Sequence, residues 1–98
     1  MTRAILPPAT IGILGGGQLG RMTALAARSL GYRVQVLDPD PDCAARPVVD
    51  RVVAAPFDDP AGAAELARAS DVITLEIEQI APAALAAALE HAPVRPGA

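Results

Sequence analysis

The chain has 98 residues, 52% apolar and 19% charged, with a formal net charge of −3. This length accommodates one domain, and the apolar fraction excludes a disordered chain. The acidic balance, with Tyr32 and Phe57 as the only aromatic residues, argues against a nucleic-acid partner. A single cysteine excludes a disulfide framework and a cysteine-based zinc site, and no apolar run reaches the ~18 residues of a membrane span. We therefore expect a cytoplasmic domain that binds no nucleic acid, membrane or metal.

The sequence predicts that strands and helices alternate along the chain. After a lead-in over residues 1–9, strands are predicted at 10–14, 33–38, 51–54 and 71–77, with helices at 18–30, at 60–69 and from Pro82. A fifth strand is a further candidate at 93–95. In the first helix, Leu19, Met22, Ala26 and Leu30 recur at helical spacing on one face. The alternation favours an α/β fold, a Rossmann-like three-layer sandwich with a parallel sheet of about four to five strands, as a single domain over 10–98.

The most informative local motif is Gly15-x-Gly17-x-x-Gly20, which lies between the first predicted strand and the first helix. Gly15 permits the turn off the strand, Gly17 lets the backbone approach a phosphate, and Gly20 lets the helix pack close to the sheet. The start of the helix then offers unpaired N–H groups to an anion. The motif predicts a phosphate or nucleotide site, and glycines that only form the turn are the alternative.

Asp38 ends the second predicted strand. In a dinucleotide-binding unit, an acid at this place binds a ribose hydroxyl. An NAD-binding module of an oxidoreductase or regulator is therefore an alternative, and the negative charges of Asp40 and Asp42 would disfavour NADP. A solvated acidic loop is the simpler interpretation of the same residues.

Two carboxylates follow one another at the end of the fourth predicted strand. Alternation along the strand places Thr74, Glu76 and Glu78 on one face. Ligands of open α/β sheets bind at the carboxyl ends of the strands, where these side chains could accept hydrogen bonds from an amine or hydroxyl. Exposed acids that only mark the exit of the strand are the alternative.

Two further side chains are candidates, one near the glycine motif and one in the loop after the second predicted strand. Arg21 is one turn into the first helix, where it can reach a phosphate or face solvent. Cys43 has no neighbouring histidine in the sequence, and we expect an inert thiol.

Several segments together resemble the carboxyaminoimidazole ribonucleotide synthetases, which are ATP-grasp ligases of purine biosynthesis. The segments are IGILGGGQLGRM at 11–22, LGYRV at 30–34, VLDPDPD at 36–42, DVITLEIE at 71–78 and PVRPG at 93–97. They follow the order and spacing of that family, from about residue 10 to residue 97. The related formate-dependent glycinamide ribonucleotide transformylases are a more distant alternative, because their glycine loop carries Glu where this chain has Gln18.

The resemblance implies a ribonucleotide site. Members of the family use ATP and bicarbonate to carboxylate the amine of aminoimidazole ribonucleotide. The resemblance implies that Gln18 and Leu19 hold this substrate from the glycine loop, and that Glu76 faces the ribose or amine end of the substrate. The implied substrate-binding residues are Gly15, Gly16, Gly17, Gln18, Leu19 and Glu76, with Glu78 and Asp38 as secondary candidates.

The resemblance also implies that this chain is a pre-ATP-grasp domain. The family continues into ATP-grasp domains and a small C-terminal domain, which bind ATP and magnesium. We therefore expect that the 98-residue chain alone holds no catalytic residue, cofactor or metal and has no ligase activity. Its expected partners are the missing ATP-grasp domains, with a homodimer as a further expectation. A non-catalytic minimal or engineered domain that folds and self-associates is another alternative.

Overall fold

A computed structural model describes residues 6–75, 86–87 and 90–93 of the chain. In chain order the elements are β1 (Thr10–Leu14), α1 (Gln18–Ser29), β2 (Arg33–Asp38), a short 3₁₀ helix (Arg46–Val48), β3 (Arg51–Ala54), α2 (Pro60–Arg68) and β4 (Val72–Leu75). Residues 86–87 are also helical. The end of the fourth predicted strand, the rest of the third predicted helix and residues 94–95 of the candidate fifth strand lie outside the described residues.

The four described strands form one parallel sheet in the order β3-β2-β1-β4. Ile13 of β1 is paired with Val36 of β2 on one side and with Thr74 of β4 on the other. The α/β fold with a parallel sheet is thus confirmed. The chain builds the sheet outward from β1 to β3 and then returns to the other side of β1. Such a reversal leaves a crevice beyond the carboxyl ends of the central strands, where ligands of this type of sheet bind.

Apolar side chains are buried on both faces of the sheet. Ile13 and Leu14 are adjacent and both fully buried, because alternation along β1 sends them into opposite layers. The layer under α2 contains Leu14, Leu37, Val53, Ala63, Leu66, Ala67, Ile73 and Ala92. The layer under α1 contains Ile13, Ala24, Ala27, Val34, Val36, Cys43 and Ala45. Burial on both faces explains why the strands have nearly continuous apolar sequences.

Helix α1 packs on the sheet through small residues. Its buried positions are Gly20, Ala24 and Ala27. The apolar face predicted from the sequence points away from the sheet instead, with Leu19, Met22 and Leu30 exposed by 62%, 63% and 69%. The small residues let α1 approach β1 closely, which determines where the helix begins above the sheet.

Among the described residues, no helix has both the length and the hydropathy of a membrane span.

The start of α2 depends on a side-chain cap. Asp59 accepts a hydrogen bond from the backbone N–H of Ala61 at 3.0 Å, and Pro60 occupies the first helical position. We expect Asp59→Ala to lower the free energy of unfolding by about 1 kcal/mol, because an N–H at the helix start loses its acceptor. Urea denaturation followed by circular dichroism measures this change.

The neighbouring acid provides a matched control for the cap. Asp58 is exposed, and the described part of the chain shows no hydrogen bond to its side chain. Asp58→Ala should therefore change the free energy of unfolding by less than about 0.5 kcal/mol. Equal losses for Asp58→Ala and Asp59→Ala would mean that charge near the helix start, not the specific hydrogen bond, stabilises α2.

Candidate functional site

The glycine motif lies at the carboxyl end of β1, in the middle of the sheet. Gly15 has a φ of +120°, a conformation that favours glycine, and its N–H donates to the carbonyl oxygen of Leu37 at 2.9 Å. We call residues 15–17 the glycine loop. Gly15 and Gly16 are buried, whereas Gly17 is exposed. The loop therefore leads from the buried central strand to the surface within three residues.

Helix α1 begins directly after this loop without a side-chain cap. Gly17 is the N-cap residue, and no side chain there accepts a hydrogen bond from the helix. The first turn also contains no acidic residue. The N–H groups at the start of a helix have no partner within the helix, and they lie at the positive end of its dipole. Gln18 and Leu19 are both exposed at this end. Together these features provide a place for an anion.

Residues 38–45, a segment that begins with the last residue of β2, pack against Gly16. The N–H of Gly16 donates to Oδ2 of Asp38 at 3.0 Å, and its carbonyl oxygen accepts from the N–H of Ala45 at 2.9 Å. The thiol of Cys43 lies beside the same residue, since a Cβ built on Gly16 would be 2.5 Å from Sγ of Cys43. Both polar backbone groups of Gly16 are thus bonded to this segment, and a side chain at this position would have to displace the thiol of Cys43.

Asp38 binds backbone N–H groups with both carboxylate oxygens. Besides Gly16, it accepts from the N–H of Asp40 at 2.9 Å through Oδ1. Asp40 repeats this arrangement by accepting from the N–H of Asp42 at 2.8 Å. Two successive turns of this kind account for the acidic residues that alternate with prolines. Sequence reasoning considered a ribose ligand or a solvated loop, and it missed this contact with the glycine loop.

The sequence suggested that Arg21 contacts a phosphate or faces solvent, and the structure adds a contact to the backbone. Nη1 of Arg21 donates to the carbonyl oxygen of Ala44 at 3.1 Å, so Arg21 joins α1 to the 38–45 segment.

Cys43 is buried within the same 38–45 segment. Burial, together with the negative charge of Asp38, raises the pKa of the Cys43 thiol. The protonated thiol is therefore favoured, which agrees with the expected inert cysteine.

The two glutamates of the predicted site lie outside the described residues. The structure describes β4 up to Leu75, which is paired with Leu14 immediately before the glycine loop. The roles of Glu76 and Glu78 stay predictions. The other six candidates lie together at the carboxyl ends of β1 and β2: Gly15, Gly16, Gly17, Gln18, Leu19 and Asp38. Within the described residues, no group of three or more His, Cys, Asp or Glu side chains could hold a metal ion.

A separate open groove lies beside the outer strand β3. Its volume is about 320 Å³, and it is lined by Pro41, Arg46, Val49, Asp50, Arg51 and Val52. The two arginines there already pair with carboxylates, Arg46 with Asp42 and Arg51 with Glu65. Because their charges are balanced, this groove is a poorer anion site than the uncapped start of α1.

Comparison with known proteins identifies the family. A family model described as the ribonucleotide synthetase preATP-grasp domain matches residues 8–98. N5-carboxyaminoimidazole ribonucleotide synthase of Brucella melitensis is 48% identical over 93 residues, which are 95% of this chain and 26% of that protein. A crystal structure of N5-carboxyaminoimidazole ribonucleotide synthetase in complex with ADP has a TM-score of 0.91 at 47% identity, covering 99% of this chain and 26% of the other. The corresponding enzyme of Staphylococcus aureus gives a TM-score of 0.87 at 42% identity, covering 95% and 25%.

These matches cover nearly the whole chain but only part of each relative. The chain spans about a quarter of the length of the relatives that it matches. Their names favour the carboxylating family over the transformylases, and the resemblance described from the sequence motifs is confirmed. The chain belongs to the family of ribonucleotide synthetase pre-ATP-grasp domains.

Proposed function

We propose that this chain is the substrate-binding N-terminal domain of a ligase that carboxylates aminoimidazole ribonucleotide with ATP and bicarbonate in purine biosynthesis. The observation that carries the proposal is the uncapped start of α1 immediately after the glycine loop. It occurs in a chain that is 48% identical to an N5-carboxyaminoimidazole ribonucleotide synthase.

The start of α1 suits the phosphate of a ribonucleotide. Its unpaired N–H groups can donate to phosphate oxygens, and the helix dipole favours the negative charge. The side chains of Gln18 and Leu19 are exposed beside these donors and would hold the substrate. Glu76 follows Leu75 directly in the sequence, and in this proposal its carboxylate accepts hydrogen bonds from the ribose or the amine.

In the proposed reaction this chain binds and orients the substrate. The amine nitrogen forms a bond to the carbon of carboxyphosphate, and the bond from that carbon to the phosphate oxygen breaks. Phosphate leaves and takes up the proton that the amine nitrogen loses. The ATP-grasp domains would hold ATP and magnesium and form the carboxyphosphate. The 98-residue chain alone is therefore proposed to bind no ATP or magnesium and to have no ligase activity. The proposed compartment of the protein is the cytoplasm.

An amide-resolved NMR titration of the chain tests the proposal. Aminoimidazole ribonucleotide is added to one sample and NAD to another. We expect the ribonucleotide to shift signals of residues 15–21 and 76–79, and NAD to leave them unchanged. Shifts at the glycine loop and Asp38 with NAD alone would overturn the proposal, as would the absence of any shift with saturating ribonucleotide.

Two alanine variants of α1 sharpen this titration. Gln18→Ala removes a polar side chain beside the proposed phosphate, and we expect about tenfold weaker ribonucleotide binding from the loss of one hydrogen bond to a charged group. Leu25→Ala is the matched control, because Leu25 is exposed on the same helix and is not a candidate site residue. Its affinity should equal that of the wild type, and an equal loss in both variants would contradict a specific role for Gln18.

A further inference from the structure

The contacts of Gly16 determine the direction of two peptide groups in the glycine loop. In a trans peptide the C=O and the following N–H point in opposite directions. The N–H of Gly16 points to Asp38, so the carbonyl of Gly15 points the other way, under α1. A Cβ at Gly20 would lie 2.1 Å from that carbonyl oxygen, which locates it against the helix. Asp38 and the close approach at Gly20 thus hold opposite ends of one peptide group.

The next peptide group is held in the same way. The carbonyl of Gly16 points to the N–H of Ala45, so the N–H of Gly17 points away from the 38–45 segment. This is the direction in which a ligand at the start of α1 would meet it. Glycine has no Cβ to resist rotation, and these peptide groups could turn over if their partners were removed. If the peptide between Gly16 and Gly17 turned over, it would present the carbonyl oxygen of Gly16 to the ligand and repel a phosphate.

We propose that Asp38 is a positioning residue, which acts through Gly16 to hold the glycine loop in its anion-binding orientation and does not bind the ribose itself. This inference rests on the proposed function. Both oxygens of Asp38 already accept backbone N–H groups, from Gly16 and Asp40. A carboxylate near a phosphate is electrostatically unfavourable, and holding the loop offsets that cost.

The same contacts determine which ligands the site accepts. In a dinucleotide site, the acid at the end of the second strand uses its oxygens for the ribose hydroxyls. Here Oδ2 of Asp38 accepts from the loop at Gly16 and Oδ1 accepts from the N–H of Asp40, while the thiol of Cys43 fills the space beside Gly16. The site therefore favours the phosphate of a mononucleotide over a dinucleotide whose ribose needs Asp38.

The test compares Asp38→Asn with Asp40→Asn as a matched control. Both variants remove one negative charge from the 38–45 segment, but only Asp38 contacts the glycine loop. Each protein is titrated by NMR with aminoimidazole ribonucleotide and with inorganic phosphate, which has no ribose. We expect Asp38→Asn to weaken the binding of both ligands by about tenfold, because the N–H groups of Gly16 and Asp40 bond to different carboxylate oxygens and an amide offers only one oxygen. Asp40→Asn should leave both affinities within about twofold of the wild type, because its turn does not touch the loop.

The two ligands separate a positioning role from a direct contact. If Asp38→Asn weakens the binding of the ribonucleotide and leaves the binding of inorganic phosphate unchanged, Asp38 binds the ribose and the inference is wrong. An equal loss for both ligands supports the positioning role. An equal loss in Asp40→Asn would assign the effect to the charge of the segment and would also overturn the inference.

A measurement without ligand distinguishes failure of this inference from failure of the proposed function. Hydrogen exchange of the Gly16 amide should become about tenfold faster in Asp38→Asn and remain unchanged in Asp40→Asn. The amide of Val36 in β2 reports overall opening of the domain and corrects for any general destabilisation. An unchanged Gly16 amide would overturn the inference even if the wild type binds the ribonucleotide. A faster amide in a protein that does not bind the ribonucleotide would support the loop contact and contradict only the proposed function.

Discussion

Gly20→Ala is expected to lower the free energy of unfolding by about 3 kcal/mol, which is a large part of the stability of a small domain. A Cβ at this position would lie 2.1 Å from the carbonyl oxygen of Gly15 and 3.1 Å from its carbonyl carbon. Both are backbone atoms. They cannot give way easily, because the other end of the same peptide group is bonded to Asp38. Urea denaturation followed by circular dichroism measures the loss.

Gly17→Ala is the matched control for this prediction. Gly17 has φ −74° and ψ −161°, which other residues adopt freely, and a Cβ there would have no atom within 4 Å. We expect its free energy of unfolding to change by less than about 1 kcal/mol. If the two variants were equally destabilised, the close approach of α1 to the glycine loop would not be the cause.

Gly16→Ala is expected to lower the free energy of unfolding by about 2 kcal/mol, and replacing Cys43 should relieve part of that loss. The added methyl group would lie 2.5 Å from Sγ of Cys43 and 3.3 Å from Cβ of Asp38. In a Cys43→Ala background the sulfur is gone, so the same substitution should cost at least about 1 kcal/mol less. A double-mutant cycle of urea denaturation curves measures this coupling.

Relief in this cycle should be partial. The Cβ of Cys43 remains in the Ala variant, and it would still lie 3.3 Å from the new methyl group. Gly17→Ala combined with Cys43→Ala provides the control cycle, in which the two effects should add within about 0.5 kcal/mol. Simple addition in the Gly16 cycle as well would show that the thiol does not require glycine at position 16.

Much of the fold could be predicted because short apolar runs are bounded by glycine and proline. Gly31 follows the end of α1 with a φ of +95°, and α2 begins at Pro60, where the sequence predicts it. The outward apolar face of α1 was harder to interpret, because periodicity reveals a face and not what it packs against. The small residues at positions 20, 24 and 27 carry the missing signal, since they permit the close approach to the sheet.

The candidate site was predicted only in part. The glycine motif identified the loop, because strand, turn and helix are neighbours in sequence. The bond between Asp38 and Gly16 joins residues 22 positions apart, and it depends on the pairing of β1 with β2. The bond from Arg21 to Ala44 depends on the same pairing. No local pattern contains that information, although alternating Asp and Pro residues could have suggested the successive turns after β2.

The central place of β1 has a consequence for synthesis on the ribosome. Among the described strands β1 is translated before the others, but it pairs with β4, in which Val72 lies 61 positions after its partner Ile11. At a translation rate of about 5–20 residues per second, roughly 3–12 seconds pass between the synthesis of β1 and that of β4. During this interval an apolar strand with an unpaired edge is exposed to other nascent chains, and contacts between distant residues form slowly. The period of greatest risk of aggregation therefore falls before β4 leaves the ribosome, when a chaperone that binds extended apolar segments would protect the chain most.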